Sequence, residues 1–257
     1  MKKKIILHLE GGLGNQLFQY AFGYSICKEL NSNLYVDNKT GFFLDFRFGL
    51  KFALPFRNLK YASILDNILF ILFRIFIKFF KVNNYILINN ILFYHDKNTK
   101  KEIDLVKFKD KKIKKIYLIG FFQNPKLFNK YKSSIRNLIL SNIPDNKKYL
   151  KYKKKINFQK SVCVGIRFWE ETGKYYNDFG GVTPPGFYEK GADKIKINKP
   201  KFYIFSKANK KSLNLNFPSK INYVPNFKDK NETLNNLWLM SCFKYYIISN
   251  STYYWWA

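Results

Sequence analysis

Three stretches of the chain combine residue types able to hold and polarise an anionic ligand. The first, Glu10-Gly11-Gly12-Leu13-Gly14-Asn15-Gln16-Leu17, follows the apolar run of residues 5–9. A short β-run that breaks on glycines and resumes with helical spacing predicts a strand, a tight loop and a helix N-terminus. Such a junction aims backbone N–H groups and the positive helix end at the carboxyl edge of a sheet, where α/β proteins bind ligands. Asn15 adds an amide that both donates and accepts. In the second stretch Arg167 ends the apolar strand 162–166. A guanidinium there matches phosphate oxygens through paired hydrogen bonds. The third, Ile247-Ile248-Ser249-Asn250-Ser251-Thr252, is a β-run that ends in good N-cap residues, again a ready anion site.

The first loop admits two other readings. Gly12-Leu13-Gly14-Asn15-Gln16-Leu17 nearly matches G-x-G-x-x-G, and Asp37 closes the next strand about where a ribose-binding acid would stand. A dinucleotide cradle needs its third glycine for close helix–strand packing, and that position is Leu17. A purely structural glycine turn is the plain alternative.

These junctions need an α/β frame, and the rest of the chain supplies one. The apolar stretch 116–122 reads as a buried strand, followed by a helix from Pro125 to Leu140 with proline at its start. Residues 145–160, rich in lysine and without apolar period, read as a linker. Beyond it the spacing predicts strand 161–167, helix 185–197, strand 201–205, helix 232–243 and strand 245–249. Strand–helix alternation on both sides of a linker argues two Rossmann-like halves, residues 1–157 and 158–257. Residues 64–81 form a further helical pattern. Leu65, Ile68, Leu69, Leu72, Phe76, Phe79 and Phe80 make its apolar face, and Asn67, Arg74, Lys78 and Lys81 a narrow basic stripe. It is too short and too charged to span a bilayer, which leaves core packing or a helix lying in the membrane interface.

Composition narrows the partners. With 46 Lys and Arg against 17 Asp and Glu, the formal charge is +29. No DNA- or RNA-reading motif accompanies it, and runs such as Lys111-Lys112-Ile113-Lys114-Lys115 read as solvated faces, so no nucleic-acid partner is expected. An anionic membrane leaflet is a surface such a chain would still feel. The cysteines Cys27, Cys163 and Cys242 are too scattered for a disulfide framework or a zinc set, which points to a reducing cytoplasm. Lys2 to Lys4 and the short apolar run after them read as the start of the first strand rather than a signal peptide.

Residues 11–23 resemble GGLGNQLFQYAFG, the opening motif of the bacterial α-1,2-fucosyltransferases, glycosyltransferase family 11. Three further segments follow in the same order. Gly120-Phe121-Phe122-Gln123-Asn124-Pro125-Lys126-Leu127-Phe128 is similar to the family's G-Y/F-F-Q-S-E-K-Y-F. Residues 163–170 are similar to strand residues running into H-x-R-R-G-D or S-I-R-R-G-D. Residues 247–257 are similar to I-I-S-N-S-T/S-F-S-W-W-A. The resemblance implies a GT-B-like α/β fold, with two Rossmann-like domains facing a cleft: the acceptor side in 1–157 and the sugar-nucleotide side in 158–257. Family members continue for another helix or so, so the resemblance also implies a missing C-terminal element after Ala257.

The implied activity is inverting, metal-independent transfer of L-fucose from GDP-fucose in α-1,2 linkage. The acceptor would be a galactose-type hydroxyl of a bacterial surface glycan: lipopolysaccharide O-antigen, lipooligosaccharide or capsule, lipid-linked or free. GDP-fucose is a substrate, and no cofactor or metal is expected. Such transfer must stabilise the leaving diphosphate, hold an oxocarbenium-like sugar and take the acceptor's proton. The candidate catalytic residues are Arg167, Asn15 and Glu170. Gly12, Gly14, Arg167, Asn250, Ser251 and Thr252 are the donor-binding candidates. The chain departs from the family at several of these places. Gly165 stands for the usual His or Ser, Phe168 for the second arginine, Trp169 for glycine and Glu170 for aspartate. Phe205-Ser206-Lys207-Ala208 lacks both acids of F-S-D-D. A transferase for another sugar nucleotide and a catalytically inactive binding remnant are the alternative readings. The expected location is the cytoplasm, peripheral on the inner face of the cytoplasmic membrane.

Overall fold

A computed structural model describes residues 2–43, 51–80, 84–96, 105–143, 145–167, 183, 186–207 and 215–257. The chain forms two compact units, Met1–Asn142 and Ile143–Ala257. The sequence reading sets the division at 157/158. The lysine-rich stretch read as a linker instead contains helix Lys147–Lys153, N-capped by Asn146. That helix belongs to the second unit because Tyr149 is fully buried there, its ring 4.6 Å from that of Phe227 and its hydroxyl 3.0 Å from Asn236.

The first unit is built on a five-stranded sheet in the order β2-β1-β5-β4-β3. Its strands are β1 (Lys4–His8), β2 (Asn33–Asp37), β3 (Tyr85–Ile88), β4 (Ile91–His95) and β5 (Lys115–Ile119). All pairs are parallel except β3–β4, a hairpin at the edge that periodicity does not single out. Helix α1 (Leu13–Glu29) leaves β1 through the glycine loop, as expected. Where one helix was expected from Pro125, the chain makes two short 3-10 turns, Pro125–Leu127 and Asn129–Tyr131, before helix Lys132–Ser141.

The second unit carries four parallel strands in the order β8-β7-β6-β9: β6 (Ser161–Gly165), β7 (Lys201–Phe205), β8 (Ile221–Tyr223) and β9 (Tyr245–Ile248). Such central strands are covered on both faces, and β6 is buried at every residue. Each unit is therefore a Rossmann-like α/β layer whose first strand feeds a ligand-side loop.

The long helix α2 (Ile64–Phe79) inverts part of the sequence reading. Its buried side is Asp66, Phe70 and Phe73, which pack with Ile6, Phe93, Tyr117 and Ile119. Leu65, Ile68, Leu72, Phe76 and Phe79, read as the apolar face, are all exposed. A helix apolar on both sides gives periodicity no means of telling the inner side from the outer. A buried carboxylate decides it. Ser63 and Asp66 form a reciprocal capping box at the N-terminus. Asp66 also accepts from Lys4 at 2.5 Å and from the Tyr117 hydroxyl at 2.6 Å. That single side chain ties α2 to β1 and β5.

Burial acts to raise the Asp66 pKa, but hydrogen bonds from Lys4, Ser63 and Tyr117 outweigh it and hold the carboxyl well below the usual carboxylate range. A folded-state pKa below the unfolded one adds stability above about pH 4, which is lost as pH falls towards the folded value. In urea unfolding, Asp66→Asn is expected to cost about 2–4 kcal/mol at neutral pH. The gap to wild type should narrow as pH drops below about 4, where the unfolded carboxyl is protonated. A gap that stays constant down to acid pH would mean that the carboxylate's charge is not what anchors the helix.

Candidate active site

At the carboxyl edge of the first sheet the glycine loop is held from within. Gly11 lies at φ +77°, a left-handed conformation that L side chains rarely adopt, and a Cβ there would sit 2.7 Å from the Asn15 amide nitrogen. Gly12 is the N-cap of α1 and supplies no side chain, and the first helical turn carries no acid. Gly14 is buried in that turn. Gln16, fully buried, donates from Nε2 to the carbonyls of Gly11 (2.9 Å) and Lys51 (2.8 Å) and accepts from the Ala53 N–H (2.8 Å). Gln19 accepts from the Glu10 N–H at 3.1 Å. Two of the three amides in Asn15–Gln19 thus fasten the loop. Asn15 alone among them is partly exposed, with Oδ1 receiving the Gln123 amide at 3.1 Å. The ends of the adjacent strands β1 and β5 meet through that pair.

Behind the loop lies a network that sequence spacing does not reveal. The Glu10 carboxylate is 3.2 Å from Arg74 of α2, and Arg74 in turn is 2.6 Å from His8 Nε2. An arginine only donates, so Nε2 accepts and the ring proton sits on Nδ1, donated to Asp37 at 3.1 Å. Asp37 also accepts from the Thr40 hydroxyl and the N–H groups of Lys39 and Thr40. Burial works against ionisation there, yet bonds from His8 and Thr40 keep the carboxyl below its ordinary range. Asp37 is 1% exposed and fully engaged, so it is not a ribose-binding acid. Leu17, where the third glycine of a dinucleotide fingerprint would be, is core at 1% exposure.

At the second sheet's carboxyl edge, neighbouring strands bring several candidates together. Arg167 follows β6 and is exposed. Asn250, Ser251 and Thr252 follow β9, the strand beside β6, with the Ser249 N–H bonded to the Gly165 carbonyl at 3.0 Å. Asn250 is exposed, Ser251 is nearly buried as the N-cap residue, and Thr252 opens helix α3, as the C-terminal element Thr252–Trp255 is named here. That helix is a single turn, so its dipole is weaker than the N-cap pattern implies. Trp255 is 44% exposed, and Tyr254 is the ring that is buried. Lys207 is exposed at the end of β7, adding a second cation to this edge. Glu170, Phe168 and Trp169 lie outside the described residues. Asn15 and Arg167 fall in different units. Among the described residues, no three His, Cys, Asp or Glu side chains cluster as metal ligands.

The glycosyl transferase family 11 model matches residues 4–257. This chain belongs to glycosyl transferase family 11. The α-1,2-colitosyltransferase of Escherichia coli is 29% identical to it over 268 residues, 98% of this chain and 86% of the relative. Among solved structures, the Bradyrhizobium fucosyltransferase NodZ superposes with a TM-score of 0.51 at 13% identity, over 100% of this chain and 91% of NodZ. An Arabidopsis thaliana FUT1 variant bound to GDP gives 0.55 at 12% identity, over 98% of this chain and 67% of that one. At such identities the likeness establishes the fold, an α/β architecture with parallel sheets of the GT-B class.

The family's second motif has His or Ser where this family 11 chain has Gly165, and the geometry gives the reason. A Cβ at Gly165 would lie 2.6 Å from Cγ of Tyr254. Tyr254 occupies the place of a serine in the family's last segment. Its hydroxyl, with one proton to share, lies within hydrogen-bond distance of the carbonyls of Ile166 (3.0 Å), just past β6, and Phe205 (2.9 Å), the end of β7. Burial pushes that hydroxyl's pKa up, while the Arg167 charge pulls the other way, so guanidinium and phenol sense each other. The two departures are one exchange: a large ring in the last motif fills the room vacated in the second. Gly165→Ser is expected to destabilise the protein by about 1–3 kcal/mol through overpacking. In a double-mutant cycle with Tyr254→Ser, the pair should show a coupling on the order of 0.5–3 kcal/mol, measured by denaturant unfolding. Additive costs would mean that the two positions do not constrain each other.

Proposed function

We propose that this family 11 chain is an inverting glycosyltransferase that moves L-fucose from GDP-fucose in α-1,2 linkage to a galactose-type hydroxyl of a bacterial surface glycan, without metal or cofactor. The observation that carries the reading is the family match across residues 4–257, joined to a cationic sheet edge where Arg167 stands beside the Asn250–Thr252 strand end. NodZ and FUT1 have been crystallised with GDP-fucose or GDP, which supports a sugar nucleotide as donor.

In this reading Arg167 neutralises charge developing on the leaving diphosphate, with the backbone and hydroxyls of Asn250, Ser251 and Thr252 and the loop of Gly12 and Gly14 completing the donor's anion contacts. Asn15 holds a sugar hydroxyl of donor or acceptor. Glu170 accepts the acceptor's proton. A second reading rests on the E. coli relative: the donor sugar is colitose, which is L-fucose without its 3-hydroxyl. A site that hydrogen-bonds that hydroxyl rejects the deoxy sugar by several orders of magnitude, whereas an apolar contact discriminates weakly.

Purified protein with EDTA, a galactoside and either GDP-fucose or GDP-colitose separates the readings. Transfer from GDP-fucose, with loss of the acceptor's 2-hydroxyl in the product's NMR spectrum, is the expected result. Consumption of GDP-colitose alone would reassign the donor, and an absolute need for a divalent ion would remove the metal-independent mechanism. Arg167→Ala should lower kcat/KM more than Asn15→Asp if diphosphate charge dominates the barrier. Glu170→Gln, nearly isosteric, should lower turnover by roughly two to four orders of magnitude with GDP affinity unchanged. A wild-type rate in that variant would take Glu170 out of the mechanism.

A further inference from the structure

The outer side of α2 is an exposed apolar surface of the first unit. Leu65, Leu72, Ile75 and Phe79 are 61%, 55%, 50% and 75% exposed, and Phe76 stacks on Phe80 beside them at 4.5 Å. The edge strand β3 adjoins it: Ile86 and Ile77 of α2 pack against the same core cluster, while Leu87 is 51% exposed. A contiguous apolar face of this kind on a folded helix marks an interaction site rather than chance. Helix propensity does not require it, since the inner side alone supplies the core.

Charge identifies what covers the face. The only acid of the helix, Asp66, is buried and bound to Lys4. The outward charge is Lys78, exposed in the last turn. On the strand side, Lys107 sits 3.4 Å from the centre of the Tyr85 ring, where β3 begins. The unit as a whole holds 25 Lys and Arg against nine Asp and Glu. A second copy of this chain would bring the same strong positive charge to the contact and be repelled. The partner must therefore be apolar within and negative at its surface. No helix among the described residues is long and apolar enough to cross a membrane, so the contact is one of lying on the bilayer.

We propose that the outer side of α2, with the adjoining β3 edge, seats the protein on an anionic lipid bilayer, the helix lying in the interfacial plane. Apolar side chains enter the acyl boundary, and Lys78 and Lys107 meet lipid phosphates. The inference stands apart from the identity of the donor sugar, and its test uses no sugar nucleotide.

Co-sedimentation of the full chain with extruded vesicles provides the test. Binding is expected to phosphatidylcholine vesicles containing phosphatidylglycerol, and to be much weaker to pure phosphatidylcholine. Phe76→Ser with Phe79→Ser should lower partitioning on the order of tenfold or more, and Lys78→Glu several-fold. All three positions face outward, so circular dichroism and the thermal midpoint should match wild type. Should the double serine variant fold poorly, Leu72→Gln and Lys78→Glu carry the same readout. Undiminished binding by folded variants would reduce the interaction to diffuse charge and overturn the proposal. So would equal binding to both vesicle types, no vesicle binding at all, or a concentration-dependent dimer that the same substitutions abolish.

Discussion

The second unit depends on a ring lodged where a side chain is missing. The Phe205 carbonyl at the end of β7 takes the Ile166 N–H, and the Gly165 carbonyl at the end of β6 takes the Ser249 N–H. Tyr254 adds to this edge. Its hydroxyl lies within hydrogen-bond reach of the Ile166 and Phe205 carbonyls, and its ring fits only because Gly165 has no Cβ. Two neighbouring strand ends are thereby held level, and Arg167, two residues past the glycine, leaves the sheet from a fixed point.

The sequence made legible the parts of the molecule that local chemistry dictates. Strand, glycine loop and helix at residues 4–29 follow from apolar runs broken by glycine, and β6, β7 and β9 follow from short buried runs. Legibility ended where partners distant in sequence decide. The inner side of α2 is set by Asp66 meeting Lys4 and Tyr117 across 62 and 51 positions, which no window of periodicity contains. Among the candidate residues, Asn15 and Arg167 stand out by residue type and strand position. Gln123 lay inside a segment already singled out, yet its pairing with Asn15 depends on β5 being inserted beside β1. Arg74 read as one more cation on a basic stripe, and His8 as a strand residue. Their roles exist only through Glu10 and Asp37. Tyr254 carried the one signal available to a comparison of motifs: a large residue in one and a vacancy in another.

The first sheet's edge is arranged on a different principle, with charge rather than shape as the fixing element. Glu10, Arg74, His8 and Asp37 form an alternating chain of donors and acceptors running from the loop into the interior. Because arginine cannot accept, the histidine tautomer is dictated along the whole chain, and the Glu10 carboxylate is presented with one lobe already engaged. The same helix that supplies Arg74 turns its other side outward as bare hydrocarbon. One element thus bears both the internal polar order of the ligand edge and the external apolar face.

Gln16 illustrates how a motif can mislead about its own purpose. It sits in the most ligand-like loop of the chain, yet each end of its amide meets backbone: nitrogen to two carbonyls, oxygen to one N–H. Glutamate has nearly the same volume and would place a second acceptor against those carbonyls. The position therefore discriminates between isosteres by polarity alone. A residue chosen this strictly answers to the architecture of the loop, so its identity carries no information about substrate.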